Sequence, residues 1–290
     1  MEKIEFLTAQ DSDAVEQMKT IWRECFGTQD DYLNVYFPVR YRPEETMVYR
    51  DEDKVLGMLT LMPCSYRLNG KVLRAAYIFA LATLPKAQGK NVATKMLKKV
   101  DEVLMERGAD ACILCPGTEE LYRFYSKRGY REAFTRRMVS CPPAGEQAEA
   151  GIFLKELSQK EYFARHQKLR PENSVLWEED VMAFVEAESK LCHGGIYELM
   201  EGEKPMALVN IFRDKDDVIA KEFLTEEGVK EQDAAEALRK LFPDSTVYFR
   251  FPGTKESGSV EAEAHRAGMV RFYTEGLQEE RLSYLPFILD

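Results

Sequence analysis

Residues 80–99 read ALATLPKAQGKNVATKMLKK, and the reading of the fold turns on this stretch. The segment closes an apolar run, VLRAAYIFALATL (72–84), whose length and lack of alternation suit a central strand buried on both faces. A short loop with one glycine follows, and a lysine-studded helical pattern starts at once. A strand that runs through a tight loop into a helix offers the helix's unpaired amides, with the positive end of the dipole beside them, to an anion. Gly89 lets the backbone of that loop come close to a ligand. Residues 86–99 hold five lysines and no acid. Of these, Lys95, Lys98 and Lys99 fall on one solvated helix face. The pattern is neither a three-glycine dinucleotide fingerprint nor a Gly-Lys-Ser/Thr phosphate loop. Asn91 stands where a stronger phosphate signature carries glycine.

Outward from this stretch, the N-terminal side reads as a helix over 11–26 with Ala14, Val15, Met18, Ile21, Trp22, Cys25 and Phe26 on one face. A second helix follows over about 29–37, then two strands joined by the polar turn RDEDK (50–54). On the C-terminal side the lysine-rich helix stops at Gly108. DACILCPG (110–117) is a short buried strand, TEELYRFYSKRGY (118–130) a helix and REAFTRRMVS (131–140) a closing strand. The segment 142–151, with its prolines, glycines and small polar residues, reads as a linker that divides the chain almost in half. Beyond it come a helical stretch over about 156–190, a hairpin in GIYELMEGEKPMALVNIFRD (195–214), the strand VIAKEFL (218–224), a helix in KEQDAAEALRKLF (230–242) and the strand TVYFRFPG (246–253). A helix in SVEAEAHRAG (259–268) and a strand in MVRFYTE (269–275) end the series. The two halves repeat one order of elements. ATKMLKKV (93–100) aligns with AAEALRKL (234–241), CILCPGT (112–118) with YFRFPGT (248–254), and RGYREAF (128–134) with AGMVRFY (267–273). We read this as a duplication.

The chain has 290 residues, a formal net charge of −10 and no biased tract. That balance argues against an electrostatic grip on nucleic acid. No apolar run approaches the roughly 20 residues that span a bilayer. The acidic N-terminus lacks the basic flank and apolar core of a signal peptide, so the expected location is cytoplasmic. The six cysteines fit buried thiols in a reducing compartment. CILC (112–115) has metal-ligand spacing but lies in a strand, where positions three apart face opposite ways, and no second pair completes a site. No metal is expected. His166, His193 and His265 are read as structural or surface residues.

LATLPKAQGKNVATKML (81–97) resembles motif A of the GNAT acyltransferase superfamily, with Gln88, Gly89, Lys90, Asn91, Val92 and Ala93 on its Gln/Arg-x-x-Gly-x-Gly/Ala positions. Asn91 departs from the usual glycine. LYRFYSKRGYREAF (121–134) resembles motif B through Tyr125, Lys127, Gly129 and Tyr130. The preceding helix-strand-strand order matches the family too, so the resemblance covers most of residues 1–140, and the tandem arrangement is similar to that of enhanced-intracellular-survival-type acetyltransferases. The resemblance implies an α/β fold of two GNAT-like domains, each a mixed sheet flanked by helices: 1–141 catalytic, 142–151 linker, 152–290 degenerate. It implies acetyl-CoA as cofactor, with pantetheine on the strand backbone near Leu81 and Thr83 and pyrophosphate on the amides of residues 88–93. Gln88 would add a side-chain donor. A backbone N–H near Leu81 or Ala82 would polarise the thioester carbonyl. Tyr125 falls where the family places its general acid, and Tyr122 is the fallback and a further cofactor contact.

No carboxylate lies on the strand where many relatives carry a base; a water chain, a basic group from the second half or the terminal carboxylate of Asp290 are the alternatives. In the second half the loop LTEEGVKEQDAAEAL (224–238) carries acids where phosphate would sit, and Ala264 aligns with the motif B tyrosine, so that half is read as having lost the cofactor site. The expected function is acetyl transfer to a primary amine of a small molecule or peptide. The alternatives are a non-catalytic acyl-CoA-binding sensor or structural protein, and transfer of an aminoacyl or long-chain acyl group. Oligomeric state is not legible.

Overall fold

The computed structural model describes residues 2–253, 259–277 and 283–287. The first half runs β1 (Glu2–Phe6), α1 (Ser12–Phe26), α2 (Asp30–Val39), β2 (Thr46–Asp51), β3 (Lys54–Leu68), β4 (Lys71–Thr83), α3 (Val92–Glu106), β5 (Ala111–Leu114), α4 (Glu119–Ser126) and β6 (Arg131–Cys141). The second runs β7 (Ile152–Glu156), α5 (Gln159–Leu169), β8 (Ser174–Leu176), α6 (Asp180–Leu191), β9 (Gly195–Glu201), β10 (Lys204–Asp214), β11 (Asp217–Thr225), α7 (Glu231–Leu241), β12 (Val247–Pro252) and β13 (Glu263–Phe272). The fold is mixed α/β. Helix α1 follows from its apolar spacing, which buries Ala14, Met18, Ile21 and Trp22, and it ends at Gly27 in the left-handed region.

All strands join one mixed sheet, ordered β1-β2-β3-β4-β5-β13-β6-β12-β11-β10-β9-β7, with β8 on the edge of β3. In each half an antiparallel meander leads through a helix to a parallel strand. Strand β4 pairs β5 in parallel around α3, and β11 pairs β12 in parallel around α7. The two final strands are exchanged at the centre: β13 pairs β5, β6 pairs β12, and β6 and β13 pair each other. Helices α1, α2, α5 and α6 share a core on one face, while α3 and α4 cover the other face of the first half. Helix α7 packs on a third core over β10–β12.

Two expectations are corrected. The helical stretch over 156–190 is two helices separated by β8, which pairs Ser65–Arg67 of β3. The helix expected over 259–268 is largely strand: residues 263–272 form β13, which has ladder partners on both sides. Alanine and glutamate favour a helix locally, but a slot between two strands overrides that preference by satisfying both edges of the backbone. Ala264, aligned with the motif B tyrosine, is therefore a strand residue. Helix α2 contains Pro38 in its last turn, where the missing N–H removes one hydrogen bond from the ladder just before the helix ends.

Candidate acyl-CoA site between diverging strands

Strands β4 and β5 stay paired only as far as Ile78 and Leu114. Beyond that point β4 runs on alone towards Thr83. Within it, Met58 faces Ala82 and Thr60 faces Phe79, so Leu59 of β3 opposes two residues, Ala80 and Leu81. This is a β-bulge, and Ala80 carries its strain at φ 53°. The bulge turns both Phe79 and Ala80 towards the α1–α2 core and returns Leu81 to the α3 face. Backbone groups of residues 79–82 on the β5 side face no strand.

The loop after Leu84 makes a single 3-10 turn, Pro85–Ala87. Gly89 then takes φ 79° with nothing within 4 Å of where a Cβ would stand. Asn91 is the N-cap of α3 in the left-handed conformation, φ 61° and ψ 22°, and its side chain does not cap the helix. Asparagine tolerates that region better than most residues, so the discordant letter is accommodated. The amides of Val92, Ala93 and Thr94 precede the first intrahelical acceptors. By contrast Thr118 caps α4 and a Ser158–Glu161 capping box closes α5.

A cleft of about 440 Å³ opens here, lined by Leu81, Ala82, Thr83, Gln88, Gly89, Asn91, Val92, Ala93 and Tyr125, with Ala87, Thr94, Leu121, Phe124 and Arg128 completing the wall. Most of the sequence-derived candidates thus meet in one place. Lys90 is exposed and outside the lining. Tyr122 lies outside it too, with the Arg266 guanidinium 4.2 Å from its ring centre. The Gln88 amide donates to the Thr83 carbonyl at 3.3 Å. Lys95 and Lys99 pair with Glu2 and Glu102, away from the loop.

Arg128 is the residue that sequence reasoning missed. Its guanidinium lies 3.5 Å from the Phe124 ring centre, donating to the Phe124 carbonyl at 2.7 Å and to Thr94 Oγ1 at 2.6 Å. Its buried Nε has no partner among the described residues. Burial pulls its pKa below the ordinary arginine value, so an anion beside it gains a poorly hydrated cation. Arg128 lies in the turn just past α4, and its guanidinium folds back over the Phe124 ring.

Tyr125 is 7% exposed and its hydroxyl makes no hydrogen bond to a described residue. Burial pushes its pKa above the ordinary tyrosine value. Behind the bulge a closed crevice of about 10 Å³, room for one water, is bounded by Trp22, Tyr36, Phe37, Tyr41, Thr60 and Ala80. Tyr36 and Thr60 share a hydrogen bond of 2.9 Å there. No carboxylate lines that crevice. Asp290 lies outside the described residues.

In the second half the equivalent helix start is filled from within. Glu231, the first residue of α7, accepts two hydrogen bonds from the buried Arg137 guanidinium, at 3.0 and 2.7 Å, and one from the Val260 amide at 2.8 Å. A carboxylate thus takes the dipole that α3 leaves open. The six cysteines are free thiols, and no group of metal-ligating residues occurs among the described residues. No helix among them is long and apolar enough to cross a membrane.

Residues 7–133 match the acetyltransferase (GNAT) domain family. No curated protein matches the chain by sequence. Among solved structures, a GCN5-related N-acetyltransferase from Kribbella flavida aligns over 94% of this chain and 71% of its own, at 15% identity and a TM-score of 0.66. Eis1 from Mycobacterium abscessus aligns over 94% and 73%, at 12% identity and a TM-score of 0.70. A probable N-acyltransferase from Enterococcus faecalis aligns over 94% and 72%, at 11% identity and a TM-score of 0.72. At such identities the likeness is one of fold.

Proposed function

We propose that this chain is an acetyl-CoA-dependent N-acyltransferase that moves an acetyl group directly to a primary amine of a small molecule or peptide, and that it is built as a catalytic GNAT-like half (1–141), a linker (142–151) and a degenerate half (152–290). The observation that carries this reading is the uncapped start of α3 beside the unpaired end of β4, with Tyr125 on the facing helix. The residues present fit the cofactor. Amides of residues 88–93 and the Arg128 guanidinium suit a pyrophosphate, and the Leu81 backbone and the Thr83 amide, past the end of the β4–β5 pairing, suit an amide-bearing pantetheine arm. Acetyl-CoA, when bound, supplies an acetyl thioester.

The Leu81 or Ala82 N–H would stabilise negative charge on a thioester oxygen held beside it. Tyr125, which burial keeps protonated at neutral pH, would supply a proton to a leaving thiolate and recover one from solvent. The proton lost by nitrogen leaves to solvent. The acidic chain suits a cationic acceptor, and its free cysteines suit the cytoplasm.

The test is thiol release from acetyl-CoA across a panel of polyamines, aminoglycosides and peptides, alongside thermal-shift titration with desulfo-CoA. Turnover with one acceptor class is expected. Stabilisation without turnover supports an acyl-CoA sensor instead, and no stabilisation by either ligand overturns both. Tyr125→Phe is expected to lower kcat by roughly 10²-fold while sparing CoA affinity.

A further inference from the structure

The exchange of strands at the sheet centre places side chains from the second half against both ends of α4, the helix that carries Phe124 and Tyr125 and runs into the turn at Arg128. Near its start, Arg266 of β13 pairs with Glu119 and, at 2.8 Å, with Glu132 of β6, and lies over the Tyr122 ring. At its end, Arg271 of β13 donates to the Arg128 carbonyl at 2.7 Å. The same Arg271 Nη1 lies 2.9 Å from Asp101 Oδ2 on α3. Tyr273, just past the strand, donates to the other oxygen of Asp101 at 2.7 Å. Helices α3 and α4 form the two walls of the cleft, and Arg271 ties them together from beneath. Thr94 on α3 accepts from Arg128, the residue whose carbonyl Arg271 holds, so the brace continues into the cleft wall.

We infer that β13 sets the separation of α3 and α4, and with it the width of the acyl-CoA cleft, with Arg271 as the positioning residue. This inference rests on the cofactor reading of the cleft. It gives the second half a task besides covering the sheet: it supplies the strand that aims the first half's catalytic helix. A guanidinium is suited to the role because its fixed fork serves a carboxylate and a carbonyl at once, which a single ammonium does poorly. Removing it leaves the Asp101 carboxylate, which burial already pushes towards protonation, with only the Tyr273 hydroxyl among these partners.

The test uses the full chain with Arg271→Ala, Arg271→Lys and, as a control, Val209→Ala, which thins the second-half core far from the cleft. Hydrogen exchange of residues 119–129 is read relative to the α1 amides, which pack on a separate core, and desulfo-CoA affinity is measured by titration. Arg271→Ala is expected to speed exchange in 119–129 selectively and to weaken desulfo-CoA roughly tenfold. Arg271→Lys is expected to restore part of both, and Val209→Ala to lower stability while leaving both unchanged. Unchanged exchange in 119–129 in Arg271→Ala overturns the inference. Selective exchange with unaltered affinity overturns the claim that the brace sets the cleft. If the unaltered chain binds no desulfo-CoA, the cofactor reading falls, and the exchange data still decide whether Arg271 braces α3 to α4.

Discussion

Asn91 decides whether the loop 88–93 works as an anion site. Its left-handed conformation is one that glycine adopts freely and a β-branched residue resists by about 1–2 kcal/mol. Asn91→Gly is therefore expected to keep stability within about 0.5 kcal/mol and to preserve desulfo-CoA binding. Asn91→Val is expected to lower both, and urea denaturation with ligand titration checks the pair. Tyr125 gives a second outcome at this scale. An acid works in its protonated form, and a pKa raised by burial keeps it protonated through the alkaline range. The rate should rise as the acceptor amine deprotonates and show no Tyr125-dependent fall below about pH 10. A fall near neutral pH that Tyr125→Phe abolishes would contradict this.

At the scale of elements, α3 must lie close to β3 for its amides to reach the end of β4. Gly57 on β3 permits that approach. A Cβ there would stand 2.8 Å from Val92 Cγ1, 3.1 Å from Met96 Sδ and 3.1 Å from the Ala82 carbonyl. Gly57→Ala is expected to push the start of α3 outward, destabilise the fold by about 1–3 kcal/mol and weaken desulfo-CoA several-fold. Denaturation midpoints and titration read both effects. The elements of the first half follow the sequence closely because their signals are local: apolar periodicity in α1, two-sided burial in β4, and Gly27 and Gly108 as stops. The lining of the candidate cleft was legible in the same degree, since the loop 88–93 and the segment around Tyr125 are each short local motifs. Arg128 was missed because its importance comes from contact with Thr94 on another helix. Tyr122 falls outside the cleft because a side chain from β13 caps it.

On the scale of the whole molecule, the exchanged strands make the two halves interdependent. Residues 1–151 alone would leave β5 without β13, and β6 without either of its partners. That fragment is expected to lack a cooperative unfolding transition, which calorimetry of the fragment beside the full chain would show. Burial of tyrosines has a second global consequence. The hydroxyls of Tyr36 and Tyr41 are pushed up to about 12 by burial, and those of Tyr162 and Tyr284 rise well above the ordinary value. Above about pH 10 the unfolded chain loses tyrosine protons that the folded chain keeps, so stability is full below that pH and declines as pH rises further. Urea midpoints should be flat from about pH 8 to pH 10 and then fall, in step with tyrosinate absorbance.

The sequence by itself determined the tight loop at 84–91, the buried strand before it and the helix after it. Hydrophobic period, glycine placement and helix-start chemistry act over a few residues and need no distant partner. Only the tertiary structure decided that residues 263–272 become a strand, that this strand parts β5 from β6, and that Arg271 ties α3 to α4. The physical reason is that a backbone segment with moderate preferences takes the conformation that satisfies its hydrogen bonds, and the partners for β13 lie more than a hundred residues away in the chain.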